Sequence, residues 1–225
     1  MEKYASLCVL SYQRLEFTKK CLESLLNTSM GYNAEILVND DGSNPEVKDY
    51  LFGLLKERKI SFLILNGGKN MGVGHSIQNC LRLSSGDYLF KIDNDLLFKP
   101  NWLETAIDIL DDKTVGCVGL FDYRNYDPND KRFNIIDQKE KYNIVDDFVS
   151  SIYGFRRELW DKYGKELGTD GWHQYVKSQG YNLVISKEDM VENFGFGINS
   201  SIYLEKQNDG SIETRTTSNK PLIFN

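Results

Sequence analysis

Apolar and polar positions in the first hundred residues switch period repeatedly. Residues 5–11 are an apolar run of strand length, and residues 16–27 carry Phe17, Cys21, Leu22, Leu25 and Leu26 at helical spacing. Residues 35–39 return to a strand pattern and residues 47–59 to a helical one, with Pro45 near the start. A third strand over 62–65, a third helix over 76–83 and a fourth strand over 88–92 follow. Three strand–helix units in succession predict a mostly parallel sheet with helices on its faces.

The second half is less regular. Residues 101–110 read as a helix entered through Pro100, and 115–121 as a strand. Residues 122–147 are polar, rich in Asn and Asp, and aperiodic, which predicts a long loop. A strand over 148–155, short helices over 156–163 and 172–178, and a strand over 182–186 complete the pattern. From residue 205 the chain is polar, and Asn208-Asp209-Gly210 is a turn signal, so a tail or a lone hairpin is expected. The predicted boundaries are a domain over 1–204, divided near residue 98, and a terminal segment over 205–225.

Composition narrows the function classes. The chain has 225 residues, 40% hydrophobic and 27% charged, enough for one domain with a full core. No apolar stretch reaches the roughly 18–20 residues that span a bilayer, and the first residues lack the apolar core of a signal peptide, so a cytoplasmic protein is the default expectation. A formal charge of −6 argues against a general nucleic-acid surface. Cys8, Cys21, Cys80 and Cys117 show no metal-ligand spacing and sit in apolar patterns, as buried free thiols do.

The polar residues with chemistry lie at the ends of the predicted strands. Strand one ends in Ser11-Tyr12-Gln13-Arg14, strand two in Asn39-Asp40-Asp41-Gly42-Ser43, and strand three runs into Asn66 to His75 through Asn70 and Gly72. Strand four ends in Asp93-Asn94-Asp95. In a parallel sheet these ends line one edge, where ligands bind. Two carboxylates at i and i+2 on an extended backbone point to one side and suit a divalent Mg²⁺ or Mn²⁺ shared with substrate phosphates. The Asp-x-Asp pair alone is equally compatible with a polar strand end and a turn. Gly72-Val73-Gly74 imitates a dinucleotide fingerprint, but Ile77 stands where Gly or Ala is required, and the first strand–helix turn lacks the motif.

Taken together, Tyr12-Gln13-Arg14, Asp40-Asp41-Gly42-Ser43, Asn70-x-Gly72 and Asp93-x-Asp95 resemble glycosyltransferase family 2, of the GT-A fold. Gly154 to Trp160 and Thr169-Asp170 through Tyr181 resemble the family's acceptor-side segment. The resemblance implies a Rossmann-like, single-domain α/β protein, with the donor nucleotide held before about residue 98 and the acceptor after it. It implies that Tyr12, Arg14, Asp40 and Asp41 hold the nucleoside of a UDP sugar, and that Ser11, Asn70, Gly72 and Asn94 complete the nucleotide contacts. Asp93 would touch the ribose, and Asp95 with Asp93 would hold Mn²⁺ or Mg²⁺. Asp170 would be the general base that takes a proton from the hydroxyl of a glycan or other acceptor, giving inversion.

Two positions depart from the family pattern. Thr169 replaces the first carboxylate of an acidic pair, and Asn193 stands where many members place a metal-binding His. A catalytically silent nucleotide-sugar or glycan-binding module, or a sugar-phosphate nucleotidyltransferase, therefore stay open as alternatives. His173 is a ligand, an acceptor contact or a structural residue. Trp172 stacks on an acceptor sugar or joins the core, whereas Trp102 is assigned to the core. Arg156 binds diphosphate or forms surface pairs, and Arg157 is assigned to the surface.

Overall fold

The computed structural model describes residues 3–29, 31–121, 134–148, 150–164 and 171–195, and the strand backbones at 204–206 and 212–214. Its first half alternates β1 (Ala5–Ser11), α1 (Leu15–Ser29), β2 (Ala34–Asp40), α2 (Pro45–Lys56), β3 (Phe62–Leu65), α3 (Val73–Leu83) and β4 (Tyr88–Asp93). There follow β5 (Leu96–Phe98), α4 (Trp102–Leu110), β6 (Val115–Gly119), β7 (Ile135–Gln138), β8 (Tyr142–Val145) and β9 (Ile152–Arg156). The described main body ends with α5 (Arg157–Tyr163), α6 (Trp172–Ser178), β10 (Asn182–Ser186) and β11 (Val191–Asn193).

Local chemistry sets several of these boundaries. Asn44 caps α2 by accepting a hydrogen bond from the Val47 N–H at 3.1 Å, with Pro45 behind it in the first turn. In α1 the residues at helical spacing, Phe17, Cys21, Leu22 and Leu25, are the buried face. Along β1, Ala5, Leu7 and Val9 join one core while Cys8 and Leu10 join the other, as strand alternation requires. Helices α1, α2 and α4 cover the first face, and α3, α5 and α6 the second. All four cysteines are buried and free.

The nine-stranded sheet has the order β3-β2-β1-β4-β9-β6-β10-β8-β7. Only β8 and β9 run against the other strands. The register positions the chemistry. Ser11 lies opposite Asp40, Asp40 opposite Leu65, and Leu10 opposite Asp93. The predicted convergence of four strand ends on one edge is therefore a property of the sheet itself.

Three features depart from the sequence reading. The stretch 122–147 contains the hairpin β7–β8, added to β10 as an antiparallel extension of the sheet. Its outer strand is largely exposed, so it shows little of the apolar alternation that would mark it. Residues 148, 150 and 151, before β9, are not in a strand. The three-residue strands β5 and β11 pair with each other apart from the main sheet, joining segments more than 90 residues apart. At the terminus, β12 (Leu204–Lys206) and β13 (Ile212–Thr214) pair antiparallel, as a lone hairpin would, while the turn at 208–210 lies outside the described residues. Among the described residues no helix is long and apolar enough to cross a membrane.

Candidate functional site

The first loop is built on strain. Gln13 and Arg14 both have positive φ, 53° and 51°, a conformation that costs non-glycine residues energy and persists only when neighbours enforce it. The second loop enforces it. The Gln13 N–H donates to Ser43 Oγ at 2.7 Å, and Gln13 Oε1 accepts from the Asn44 N–H at 3.2 Å.

Asp40 and Asp41 have different environments. Asp40 is fully buried; its Oδ2 accepts from the Ser43 N–H at 3.0 Å, and its Oδ1 has no hydrogen-bond partner among the described residues. Asp41 has three. Its carboxylate accepts from Asn66 Nδ2, the Met71 N–H and the Gly72 N–H, each at 2.8 Å. The 66–72 loop is thus folded around Asp41. Gly72 turns the chain there at φ 87°, and Asn70 Oδ1 also accepts from its N–H at 2.9 Å. Beneath the loop, Asn39 Nδ2 donates to Ser76 Oγ at 3.0 Å, and Asn79 Nδ2 donates to Asn39 at 3.2 Å and Asn66 at 3.1 Å.

At the end of β4 the two acidic residues are held separately. Lys91, two residues earlier on the same side of the strand, is buried and donates to Asp93 Oδ1 at 2.5 Å and to the Ser150 carbonyl at 2.6 Å. Desolvation pushes the Asp93 carboxyl above its ordinary pKa, against the pull of Lys91. Asn94 is buried, donating to Thr18 Oγ1 at 2.9 Å and accepting from Arg14. Asp95 Oδ2 lies 3.3 Å from the Arg14 guanidinium, and its Oδ1 is buried with no hydrogen-bond partner among the described residues. The chain after β11 closes over this carboxylate. A Cβ on Gly195 would stand 2.3 Å from Asp95 Oδ2, so a larger residue there would have to displace that carboxylate.

Arg14, expected at the nucleoside, donates to Asn94 and Asp95 of the Asp-x-Asp loop. Ser11 is buried at the end of β1, 3.3 Å from Thr18 Oγ1, and Tyr12 beside it is partly exposed. Among the described residues no group of three or more His, Cys, Asp or Glu side chains could hold a metal. Two hard carboxylates with an unsatisfied oxygen do fit a divalent cation that takes its remaining ligands from phosphate and water.

On the acceptor side, Thr169 and Asp170 lie outside the described residues. The helix that follows is capped at Gly171, φ 75°, with no side-chain cap. His173 contacts Asp147 Oδ1 at 3.0 Å and stacks on Phe148 at 4.9 Å; burial pushes its pKa down, with Asp147 opposing the shift. With Val73, Lys91, Ser150 and Tyr153 it lines a cavity of about 60 Å³. Trp172 is not available for sugar stacking, being 1% exposed and packed on Phe155 and Trp160. Trp102 is in the core as expected. Asn193 is buried, and its side-chain oxygen accepts from the Gly195 N–H at 2.9 Å.

Arg156 and Arg157 serve the opposite edge of the sheet. Arg156 pairs in register with Tyr88, at the start of β4, and donates to the Leu110 carbonyl at 2.6 Å. Arg157 donates to the Gly86 carbonyl and Ser84 Oγ, both at 2.8 Å, rather than forming surface pairs. Sequence reasoning also missed Lys91, Asn66 and Gly195. The first sits inside an apolar run, and a lysine in a strand whose neighbours are all buried is the signal that would have found it.

A family model described as Glycosyl transferase family 2 matches residues 6–175. The chain belongs to glycosyl transferase family 2. Among relatives by sequence, the glycosyltransferase GlyG of Streptococcus pneumoniae is 23% identical over 234 residues, covering 94% of this chain and 73% of that protein. An uncharacterized glycosyltransferase of Rickettsia bellii is 27% identical over 131 residues, 58% of this chain but only 17% of that protein's length. Chondroitin synthase of Escherichia coli is 27% identical over 119 residues, 50% of this chain and 16% of the synthase.

Solved structures agree on the GT-A fold. The mannosyltransferase PcManGT of Pyrobaculum calidifontis, solved with GDP-Man and Mn²⁺, superposes with a TM-score of 0.64 at 18% identity, covering 84% of this chain and 57% of that one. GalNAc-T7, solved with UDP, GalNAc and Mn²⁺, gives 0.63 at 16% identity, over 83% and 42% of the two chains.

Proposed function

We propose that this domain transfers a sugar from a UDP sugar to an acceptor hydroxyl with inversion, using Mn²⁺ or Mg²⁺ held by Asp95 and Asp93. The observation that carries the reading is the buried Oδ1 of Asp40, which has no hydrogen-bond partner among the described residues and lies on the same strand edge as the Asp-x-Asp pair. An ionised carboxylate only accepts hydrogen bonds, and uracil presents an N3–H to such an acceptor. Asp41 has the other task. With its oxygens engaged by three N–H donors it shapes the wall of the nucleotide site rather than reading the base.

Lys91 fixes Asp93 for contact with the ribose and keeps one carboxylate of the pair neutralised before a diphosphate arrives. A bound divalent cation supplies charge stabilisation at the departing diphosphate. Asp170 takes the proton of the acceptor hydroxyl as its oxygen attacks the anomeric carbon opposite the leaving group, which inverts that centre. The partners are thus a UDP sugar and a glycan or other hydroxyl-bearing acceptor. Mn²⁺-bound neighbours of the same fold support the metal assignment.

Calorimetry with UDP, CDP and ADP in Mn²⁺ tests the base assignment. UDP should bind best, and Asp40→Asn should erode that preference by about 1–3 kcal/mol, the range for a hydrogen bond to a charged group. A purine nucleotide that outcompetes UDP would remove Asp40 from the base site.

A further inference from the structure

We infer that Arg14 is the internal counter-ion of Asp95, and that a divalent cation binds this site by displacing it. The inference rests on the metal reading of the Asp-x-Asp pair and adds to it a competitor built into the chain. Arg14 and Asp95 lie 3.3 Å apart with side chains only 18% and 17% exposed, so the ion pair is largely shielded from water. The same guanidinium donates to Asn94 between the two acidic residues and lies over the Phe17 ring at 5.1 Å, itself stacked on Phe194 at 4.9 Å. It is held between the Phe17 ring and the acidic loop.

The backbone shows that this placement is enforced. Two successive positive-φ residues, Gln13 and Arg14, turn the chain towards β4, and Ser43 and Asn44 lock that turn. A flexible surface arginine would need no such scaffold. A guanidinium and a divalent cation repel each other strongly when they share one carboxylate at low exposure, so the two are alternatives for Asp95. The buried Oδ1, without a hydrogen-bond partner among the described residues, gives an incoming cation a first oxygen that Arg14 does not occupy. Once released from Asp95, the planar guanidinium matches the geometry of a diphosphate, which arrives with the negative charge that Asp95 no longer supplies. Metal and nucleotide binding are thereby coupled through one side chain.

Manganese alone, titrated into the full chain and read by the electron paramagnetic resonance of free Mn²⁺, tests this without any turnover. Arg14→Met, which keeps the length of the stem and removes the charge, should bind Mn²⁺ at least about tenfold more tightly than the natural chain. Arg14→Lys, which keeps the charge, should stay close to the natural affinity. Equal or weaker binding by a folded Arg14→Met overturns the counter-ion role. No Mn²⁺ binding by either the natural chain or Arg14→Met overturns the metal reading itself. A second measurement on the unsubstituted protein needs no variant to fold. The guanidinium resonances of Arg14 should change when diamagnetic Mg²⁺ saturates the site; saturation that leaves them unchanged also overturns the proposal.

Discussion

The sheet edge proposed to hold the donor and the region proposed to hold the acceptor are fixed by different physics. At the donor edge, the register of β1, β2, β3 and β4 brings Ser11, Asp40 and Asp93 onto one line, and backbone N–H donors or fixed cations then set each carboxylate. On the acceptor side, the described groups hang on the seven-residue helix α6, which starts at a glycine without a side-chain cap. There His173 is fixed by the Asp147 carboxylate and by the rings of Phe148 and Tyr153. A sheet edge leaves little freedom to the groups it presents, whereas a short, weakly capped helix lets them vary. On the proposed reading, nucleotide recognition rests on groups that the sheet register fixes, and acceptor contacts rest on groups carried by the short helix α6 and the residues before it.

The sharpest test of that division is Asp170→Asn. Asn keeps the shape but takes no proton, so transfer should fall by about 10²- to 10⁴-fold, while UDP affinity, set at the other edge, should stay near that of the natural chain. Because Gly171 occupies the N-cap position, loss of a cap would not account for such a fall. A variant with natural turnover would place the base elsewhere. Next in size is Asp41→Asn. An amide cannot accept all three N–H donors that Asp41 satisfies, so stability should drop by about 1.5–3 kcal/mol in denaturant melts. Affinity for UDP, CDP and ADP should weaken together, in contrast to the base-selective effect expected at Asp40.

These assignments mark how far residues alone could be read. The strand ends were legible because apolar runs stopped at polar residues, and a parallel sheet has only one edge on which to gather them. The division of labour between Asp40 and Asp41 was not, since neighbouring carboxylates look alike until their hydrogen-bond donors are known. The contacts of Arg14 with Asn94 and Asp95 were not legible, because nothing in a sequence reports two successive positive-φ residues at positions 13 and 14. Trp172, close to Asp170 in sequence, was open to sugar stacking or to the core, and the helix turns it inward, which sequence proximity cannot report. The pairing of β5 with β11, and with it the close approach of Gly195 to Asp95, depends on contacts between segments far apart in the chain.

The smallest expected effect sharpens the acceptor side. Burial lowers the pKa of His173 below its ordinary 6.5, so the folded protein binds fewer protons there than the unfolded chain as pH falls past that value. Folding stability should be unaffected by this group above 6.5 and should decline as the pH drops through the folded pKa. Thermal melts between pH 5 and 8 should show a shallower decline in His173→Gln than in the natural chain. Identical slopes would mean that His173 does not titrate differently on folding.

Metal-dependent donor binding is the claim on which the donor edge stands. Calorimetry of UDP binding in Mn²⁺ and in chelator, for the natural chain and for Asp95→Ala, tests it directly. The natural chain should bind UDP at least about tenfold more tightly in Mn²⁺, as expected when a cation offsets repulsion between two carboxylates and a diphosphate, and Asp95→Ala should bind weakly in both. Equal affinity of the natural chain for UDP in chelator and in Mn²⁺ would contradict the account.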